Sequence, residues 1–215
     1  MRDDVETLDK LLEAAEAGNA AAQYELAVRY ETGDGCEPDL KQSLTWLKAS
    51  SAAGHAPASL ALGSKYEHGV GITQNVRLAC STYRKTAEAG DRDAQFALAK
   101  MYLLGKGVHL DADEAFEWYH RAAEQGHPIA QFYIGEMCFF GRGTTEDENE
   151  AHKWYLAAAE QGVVEAQMKV AKMYQDGRGV EADEYLASEW YRRAAEQALK
   201  DEKDTTKHHG LQYER

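Results

Sequence analysis

The sequence has few prolines and few cysteines, and both shortages limit the kind of protein it can be. Only 3 prolines occur in 215 residues, which suits a helical chain because proline interrupts helices. The three cysteines, Cys36, Cys80 and Cys138, are odd in number and far apart in sequence. We therefore expect reduced thiols, and neither a disulfide framework nor a zinc site.

Basic residues are also scarce. Lys and Arg number 24 against 37 Asp and Glu, so the formal net charge is −13. This balance argues against a nucleic-acid binder, because phosphate contacts need a basic face. It is compatible with a basic partner.

The sequence has no long apolar run. None approaches the roughly 20 residues that a membrane helix needs, so we expect no membrane insertion. The N-terminal stretch, MRDDVETLDKLLEAAEAG, is polar and amphipathic and lacks the apolar centre of a signal peptide. We expect a cytoplasmic protein, unless a signal peptide has been removed from the sequence as given.

One unit recurs along almost the whole chain. Over residues 111–143 it reads as a helix, a tight turn, a second helix and a Gly-x-Gly stop. The turn glycines are 36 residues apart (54 − 18 = 36): Gly18, Gly54, Gly90, Gly126 and Gly162. Such a period is typical of stacked helical repeats that contact mainly their neighbours. The sequence therefore predicts an all-α fold, an α-solenoid of stacked helix–turn–helix repeats with a 36-residue period.

The helix after each turn glycine has fixed residue types at fixed offsets. The ninth residue is always small: Ala27, Gly63, Ala99, Gly135 and Ala171. The twelfth is Tyr in four copies and Cys138 in the fourth. A small residue at this place lets a neighbouring helix approach closely while a ring fills the space beside it. Each helix then stops at a glycine suited to a left-handed cap, with a second glycine two residues later.

The two ends of the chain depart from the repeat. Residues 3–17 are a degenerate, more polar copy of one helix, which predicts a terminal cap. At the other end Trp190 and Tyr191 repeat the pattern, but Ala198 stands where a turn glycine is expected. We expect the last helix to run on, one solenoid domain over 1–198, and a charged, disordered tail over 199–215.

The motif A-x-x-W-Y-x-x-A-A-E-x-G followed by A-Q-x-x-L-A/G-x-x-Y-x-x-G-x-G resembles the Sel-one-like repeat, a variant of the tetratricopeptide repeat with a slightly longer period. The resemblance covers roughly residues 3–198 and keeps register without an insertion. Members of this family are mostly scaffolds and adaptors, many of them bacterial. The resemblance implies a right-handed superhelix that binds a partner protein or peptide in its concave groove.

The resemblance to tetratricopeptide repeats also implies that the helices after the turn glycines line this groove. The sixth residue then forms an apolar ladder along the groove: Tyr24, Leu60, Phe96, Phe132 and Met168. Aromatic residues are common here in related repeats, so we favour packing over recognition for this ladder.

Two apolar pairs beside the capping glycines predict a contact patch, Leu103/Leu104 and Phe139/Phe140. One residue of each pair can turn inward, but both are harder to bury, and exposed apolar patches usually mean contact. Packing between neighbouring turns is an equal alternative. Three charged residues at the tenth position are candidates for reading a peptide's charges, although a solvated face explains them better: Lys100, Glu136 and Lys172.

No catalytic, metal or cofactor site assembles from the sequence. Helix starts explain the acidic pairs better than acid–base catalysis does, and Glu148 with His152 are too few groups for a metal. We therefore predict a non-enzymatic scaffold or adaptor whose protein or peptide partner is not identified, and nothing indicates a homo-oligomer. The alternatives are an inhibitor or immunity-type protein that neutralises an effector and, less favoured, a hydrolase-like enzyme.

Overall fold

The computed structural model describes the backbone of residues 2–210 and the side chains of residues 8–203. Within that range the chain forms eleven helices and no strands. The helices are α1 Arg2–Glu16, α2 Ala20–Thr32, α3 Leu40–Ala52, α4 Ala56–His68, α5 Val76–Glu88, α6 Arg92–Leu104, α7 Ala112–Glu124, α8 Pro128–Phe140, α9 Glu148–Glu160, α10 Val164–Asp176 and α11 Glu184–Gly210. The predicted all-α fold of helix–turn–helix repeats is confirmed.

The helices form two compact units, of which the first ends at Asp111 and the second begins at Ala112. In the first unit, α1 to α6 each pack on the next helix in chain order. In the second unit, α7 to α11 do the same. Each unit therefore has the nearest-neighbour contacts of a helical repeat. A single solenoid domain over 1–198 stays a prediction.

The helix ends follow the sequence signals closely. Six acidic or amide side chains each accept a hydrogen bond from a backbone N–H in the first turn of the next helix: Asn19, Asp39, Asn75, Asp91, Asp147 and Asp183. The helices α2, α4, α6, α8 and α10 end on the first glycine of a Gly-x-Gly stop. At Gly141, for example, φ is +61° and the N–H bonds the carbonyl of Met137. The predicted left-handed cap is confirmed.

The second glycine of a Gly-x-Gly stop lies close to the backbone of an earlier helix. A Cβ on Gly143 would lie 2.1 Å from the carbonyl oxygen of Ala112, the first residue of α7. A Cβ on Gly179 would lie 2.1 Å from the carbonyl oxygen of Glu148, the first residue of α9. Both stops therefore rest on the start of an earlier helix, where no side chain fits.

The small ninth residue lies under a large side chain of the following helix. A Cβ on Gly63 would lie 2.4 Å from Cε1 of Tyr83, and one on Gly135 would lie 2.6 Å from Cδ1 of Tyr155. In the first repeat, Leu47 stands where these tyrosines stand, and it packs with Ala27 in one buried cluster. Glycine therefore lies under these two rings, and alanine lies beside the smaller leucine of the first repeat. The pairing is not a general rule, because Ala99 and Ala171 precede Tyr119 and Tyr191 at the same spacing.

The last helix differs from the others in length. It runs from Glu184 to Gly210 and passes Ala198 without a break, as the missing turn glycine predicts. The helical part of the chain therefore ends beyond the predicted boundary at 198. Residues 211–215 of the predicted tail lie outside the described residues. Among the described helices, none combines the length and the apolar character that spanning a membrane requires.

Candidate functional site

The predicted pair Phe139 and Phe140 ends α8, and its two side chains point to different surroundings. The Phe139 ring is half-buried, 6.5 Å from the ring of Tyr155. The Phe140 side chain is 48% exposed, and the two Phe rings meet edge to face with centroids 5.0 Å apart. Phe139 therefore anchors the end of the helix, and Phe140 presents an aromatic face to solvent.

Three cations lie over these two rings. The guanidinium of Arg142 lies 5.3 Å from the centroid of Phe140, and Lys169 Nζ lies 5.7 Å from the same centroid. The guanidinium of Arg178 lies 4.3 Å from the centroid of Phe139. Cations at such distances are attracted to the ring faces. We call these five residues the aromatic–cationic patch.

A partly buried hydrogen bond adjoins the patch. The Tyr155 hydroxyl donates to Glu136 Oε1 at 2.5 Å, and Lys169 Nζ lies 2.6 Å from the same oxygen. The pKa of Tyr155 is raised, mainly by burial and secondly by the hydrogen bond to Glu136. The hydroxyl therefore keeps its proton and remains a donor. Glu136 is therefore already engaged inside the unit, and reading a partner's charge would require breaking these contacts.

The three cations differ in their ion pairs. Lys169 pairs with Glu136, as above, and Arg178 Nε donates to Glu148 Oε1 at 2.9 Å. Arg142 has no carboxylate within ion-pair distance in the part of the chain that the structure describes. Among the described residues, Arg142 is therefore the one cation of the patch that has no ion pair.

The corresponding surface of the first unit has a pair of leucines in place of the two rings. Leu104 is 51% exposed at the end of α6, and its neighbour Leu103 is half-buried. Lys106 is the basic residue of this stop, but its Nζ lies 3.2 Å from Glu67 Oε1. Lys100 is exposed on the same helix. The first unit therefore presents a leucine where the second presents an aromatic ring beside Arg142.

The predicted ladder divides into packed and exposed members. Tyr24 packs on the buried cluster of α2 to α4, with its ring 5.3 Å from that of His55. Phe132 is half-buried, 5.8 Å from the ring of Tyr155. Two further members, Leu60 and Phe96, are also half-buried. The last member of the ladder, Met168 on α10, is 52% exposed. The charged candidate Lys172 is also exposed, and its Nζ lies 3.1 Å from Asp176 Oδ2.

The cysteines and acidic residues form no reactive grouping in the described structure. No three His, Cys, Asp or Glu side chains with described positions are placed to hold a metal ion. The cysteines are free, and Cys80 and Cys138 are buried. Burial raises the pKa of Cys80, and it raises that of Cys138 to about 11. Both thiols therefore stay protonated and unreactive near neutral pH.

The cations of the patch were missed by the sequence analysis, although a signal was present. The residue between the two glycines of the stop is basic in the last three copies: Lys106, Arg142 and Arg178. A cation at the end of a helix is favoured by the helix dipole. In the fourth copy this position places Arg142 over Phe140, the last residue of α8, whereas Arg178 of the fifth copy lies over Phe139 of the fourth.

The fold and this surface define a helical-repeat protein of the kind that presents side chains from consecutive helix pairs. The Sel1 repeat model matches residues 20–55, 56–91, 92–127, 128–163 and 164–199. The chain belongs to the Sel1 repeat family. Sel1 repeat proteins are in general non-catalytic scaffolds for protein interactions.

Solved structures of similar chains support the same fold. One is c5321, a protective antigen present in uropathogenic Escherichia coli strains, with 39% identity, a TM-score of 0.84 and 87% of this chain covered. The chain spans only 40% of that protein's length. A Sel1 repeat protein from Oxalobacter formigenes has 31% identity, a TM-score of 0.80 and coverage of 89% of this chain and 84% of its own.

A more distant likeness shows the fold alone. The immunity protein PA5088 from Pseudomonas aeruginosa has 19% identity and a TM-score of 0.56, with 89% of this chain and 73% of that chain covered. The comparison with curated proteins gives no match.

Proposed function

We propose that this chain is a protein-interaction scaffold or adaptor, and that the aromatic–cationic patch of the second unit is its binding surface. The observation that carries the proposal is the half-exposed ring of Phe140 with two cations held over it, in a chain whose net charge is −13. The general role of Sel1 repeat proteins supports it. A concave groove, a cytoplasmic location and an apolar ladder along the repeats stay predictions.

The physical chemistry of the patch favours a partner segment with two features. An apolar side chain of the partner would cover the exposed part of the Phe140 ring, and burial of an aromatic side chain beside Arg is typical of binding hot spots. A carboxylate or carbonyl oxygen would then accept hydrogen bonds from Arg142, whose guanidinium donors are not used in an ion pair. Lys169 and Arg178 keep their internal partners in such a complex.

The experiment is an affinity capture from the source cells with three forms of the protein: the native chain, Phe140→Ala and Leu104→Ala. Leu104 is the matched control because it occupies the same repeat position and is exposed to a similar extent, 51% against 48%. Phe140 is a better probe than Phe139, because Phe139 packs on Tyr155 and its loss would disturb the fold.

We expect one partner protein to be captured by the native chain and by Leu104→Ala, but not by Phe140→Ala. The purified partner should bind Phe140→Ala about 30-fold more weakly, which corresponds to a hot spot of about 2 kcal/mol. Circular dichroism spectra should be the same for all three forms. Equal capture by all three forms would reject the patch and leave a scaffold that binds elsewhere, and no partner in any form would argue against the scaffold itself.

A second candidate is an inhibitor or immunity-type protein. Its support is the net charge of −13, which complements a basic effector and would speed their association. The same capture distinguishes the two functions. An inhibitor's partner should be toxic or catalytic when alone, and its activity should be lost when the native chain is added. No observation in the described residues favours the hydrolase-like alternative.

A further inference from the structure

The second unit contains a buried amide oxygen with nothing to accept. The side chain of Gln167, on α10, is 6% exposed. Its Nε2 donates to the carbonyl oxygen of Ala159 at 3.0 Å. Its Oε1 is shielded from solvent and has no hydrogen-bond partner. Such a group costs free energy unless a donor reaches it.

The preceding repeat shows which donor belongs there. Gln131 lies 36 residues earlier (167 − 131 = 36) and makes the same backbone bond, from Nε2 to the carbonyl oxygen of Ala123 at 3.2 Å. Its Oε1, however, accepts a hydrogen bond of 2.7 Å from Nε2 of Gln161. Gln161 is the C-cap residue of α9, immediately before the turn glycine Gly162. A primary carboxamide at the end of a helix therefore satisfies this buried oxygen.

The last repeat has the equivalent glutamine but holds it elsewhere. Gln197 corresponds to Gln161 (161 + 36 = 197). Because Ala198 replaces the turn glycine, α11 continues, and Gln197 lies inside a helix instead of at its end. Its Nε2 donates to Asp201 Oδ1 at 2.8 Å, one turn further on. The amide that would reach Gln167 is therefore engaged on the surface of its own helix.

A cavity of about 350 Å³ occupies the space beside Gln167. The Trp190 ring forms one wall, with the guanidinium of Arg193 4.6 Å from its centroid. Lys200 also lines the cavity. In the preceding repeat, the residues 36 positions earlier are uncharged, Ala157 and Val164. The last repeat therefore combines an unpartnered acceptor with two cations that the earlier copy lacks.

We propose that this cavity binds a primary carboxamide, the side chain of a glutamine or asparagine at the end of a helix in a partner protein. The amide NH₂ donates to Gln167 Oε1, as Gln161 does to Gln131, and the amide oxygen faces Arg193 and Lys200. A carboxylate fits less well because it has no proton to donate to Gln167. An ammonium group donates, but the two cations repel it.

The probe is a blocked hexapeptide with the sequence of residues 157–162, Ala-Ala-Ala-Glu-Gln-Gly, and its control carries Gln161→Glu. Binding to the full chain is followed through the side-chain amide resonances of Gln167 in nuclear magnetic resonance spectra. We expect the glutamine peptide to shift these resonances and to bind about tenfold more tightly than the glutamate control, because only the amide donates to the buried oxygen.

Two exposed residues of the chain give opposite expectations that a general loss of structure would not produce. Asp201→Ala releases Gln197, which then competes for Gln167, so peptide affinity should fall about tenfold. Gln197→Ala removes the competitor, so affinity should be retained or increased, and the double variant should bind like Gln197→Ala. The proposal is overturned if the two peptides bind equally, if neither binds, or if Asp201→Ala binds as well as the native chain.

Discussion

The contact between Gly135 and Tyr155 gives the most demanding test of how the repeats pack. A Cβ added at Gly135 would lie 2.6, 2.7 and 3.0 Å from Cδ1, Cε1 and Cγ of Tyr155. Carbon atoms in contact are normally about 3.5–4.0 Å apart, so the ring must move by roughly 1 Å. Tyr155 is fully buried and its hydroxyl is bonded to Glu136. The ring therefore has little room to move without losing that bond.

Two opposing effects decide the stability of Gly135→Ala. Replacing glycine by alanine inside a helix stabilises the folded state by about 1 kcal/mol. Forcing a methyl group into a well-packed core costs about 1–3 kcal/mol. Because three ring atoms lie within contact distance of the added carbon and the ring is fixed at both ends, we expect the clash to exceed the gain in helix propensity. The free energy of unfolding should therefore fall, by up to about 2 kcal/mol.

The test is a double-mutant cycle with Tyr155→Leu, measured by urea unfolding with circular dichroism. The first repeat already combines an alanine with a leucine at these two positions, Ala27 with Leu47. In the Tyr155→Leu background, Gly135→Ala should therefore be neutral or stabilising, by up to about 1 kcal/mol. If Gly135→Ala stabilises the native chain as much as it stabilises Tyr155→Leu, the glycine is not required by the ring and this reasoning fails.

Three further predictions concern single residues. Burial lowers the pKa of His152 below its ordinary 6.5, so on acidification the unfolded chain takes up the proton before the folded chain does. The urea concentration at the midpoint of unfolding should therefore fall as the pH drops below about 6.5. The variant His152→Phe should show a smaller fall. Gly126→Ala meets no atom within 4 Å and should cost only the left-handed backbone strain of about 1–2 kcal/mol. Gly143→Ala also meets a carbonyl oxygen at 2.1 Å and should lower the Tm further; equal losses would contradict the close approach. Cys138, which is buried, should react with a thiol reagent only after unfolding, whereas half-buried Cys36 should react first; Cys36→Ser should remove the early reaction.

Much of the fold was predictable because the repeat fixes the register of every helix. The period of 36 residues predicted the positions of the turns. The first glycine of each Gly-x-Gly stop predicted a left-handed helix cap, such as that at Gly141. The small ninth residue predicted a close helix contact, which Gly63 and Gly135 both make. These features depend on backbone geometry and residue size, which a regular sequence pattern records directly.

The details of the candidate sites depend on choices that the pattern does not record. Phe139 and Phe140 were singled out together, but which ring turns inward depends on its contact with Tyr155. The position of Lys169 depends on its pairing with Glu136, one repeat earlier. A long charged side chain has several neighbours within reach, and its choice among them is decided by local distances and not by its place in the repeat.

The glutamines Gln131 and Gln167 show how one repeat can differ locally from another while the fold stays the same. Gln131 and Gln167 have the same residue type, the same bond to an alanine carbonyl and nearly the same burial, yet only one amide oxygen is satisfied. The difference lies beyond the two glutamines, at the end of the next helix, where Gly162 is followed 36 residues later by Ala198. The amide oxygen of Gln23 in the first repeat is unsatisfied as well, and Ala53 stands there in the place that Gln161 has relative to Gln131. The residue at the end of the following helix therefore decides whether this buried oxygen is bonded.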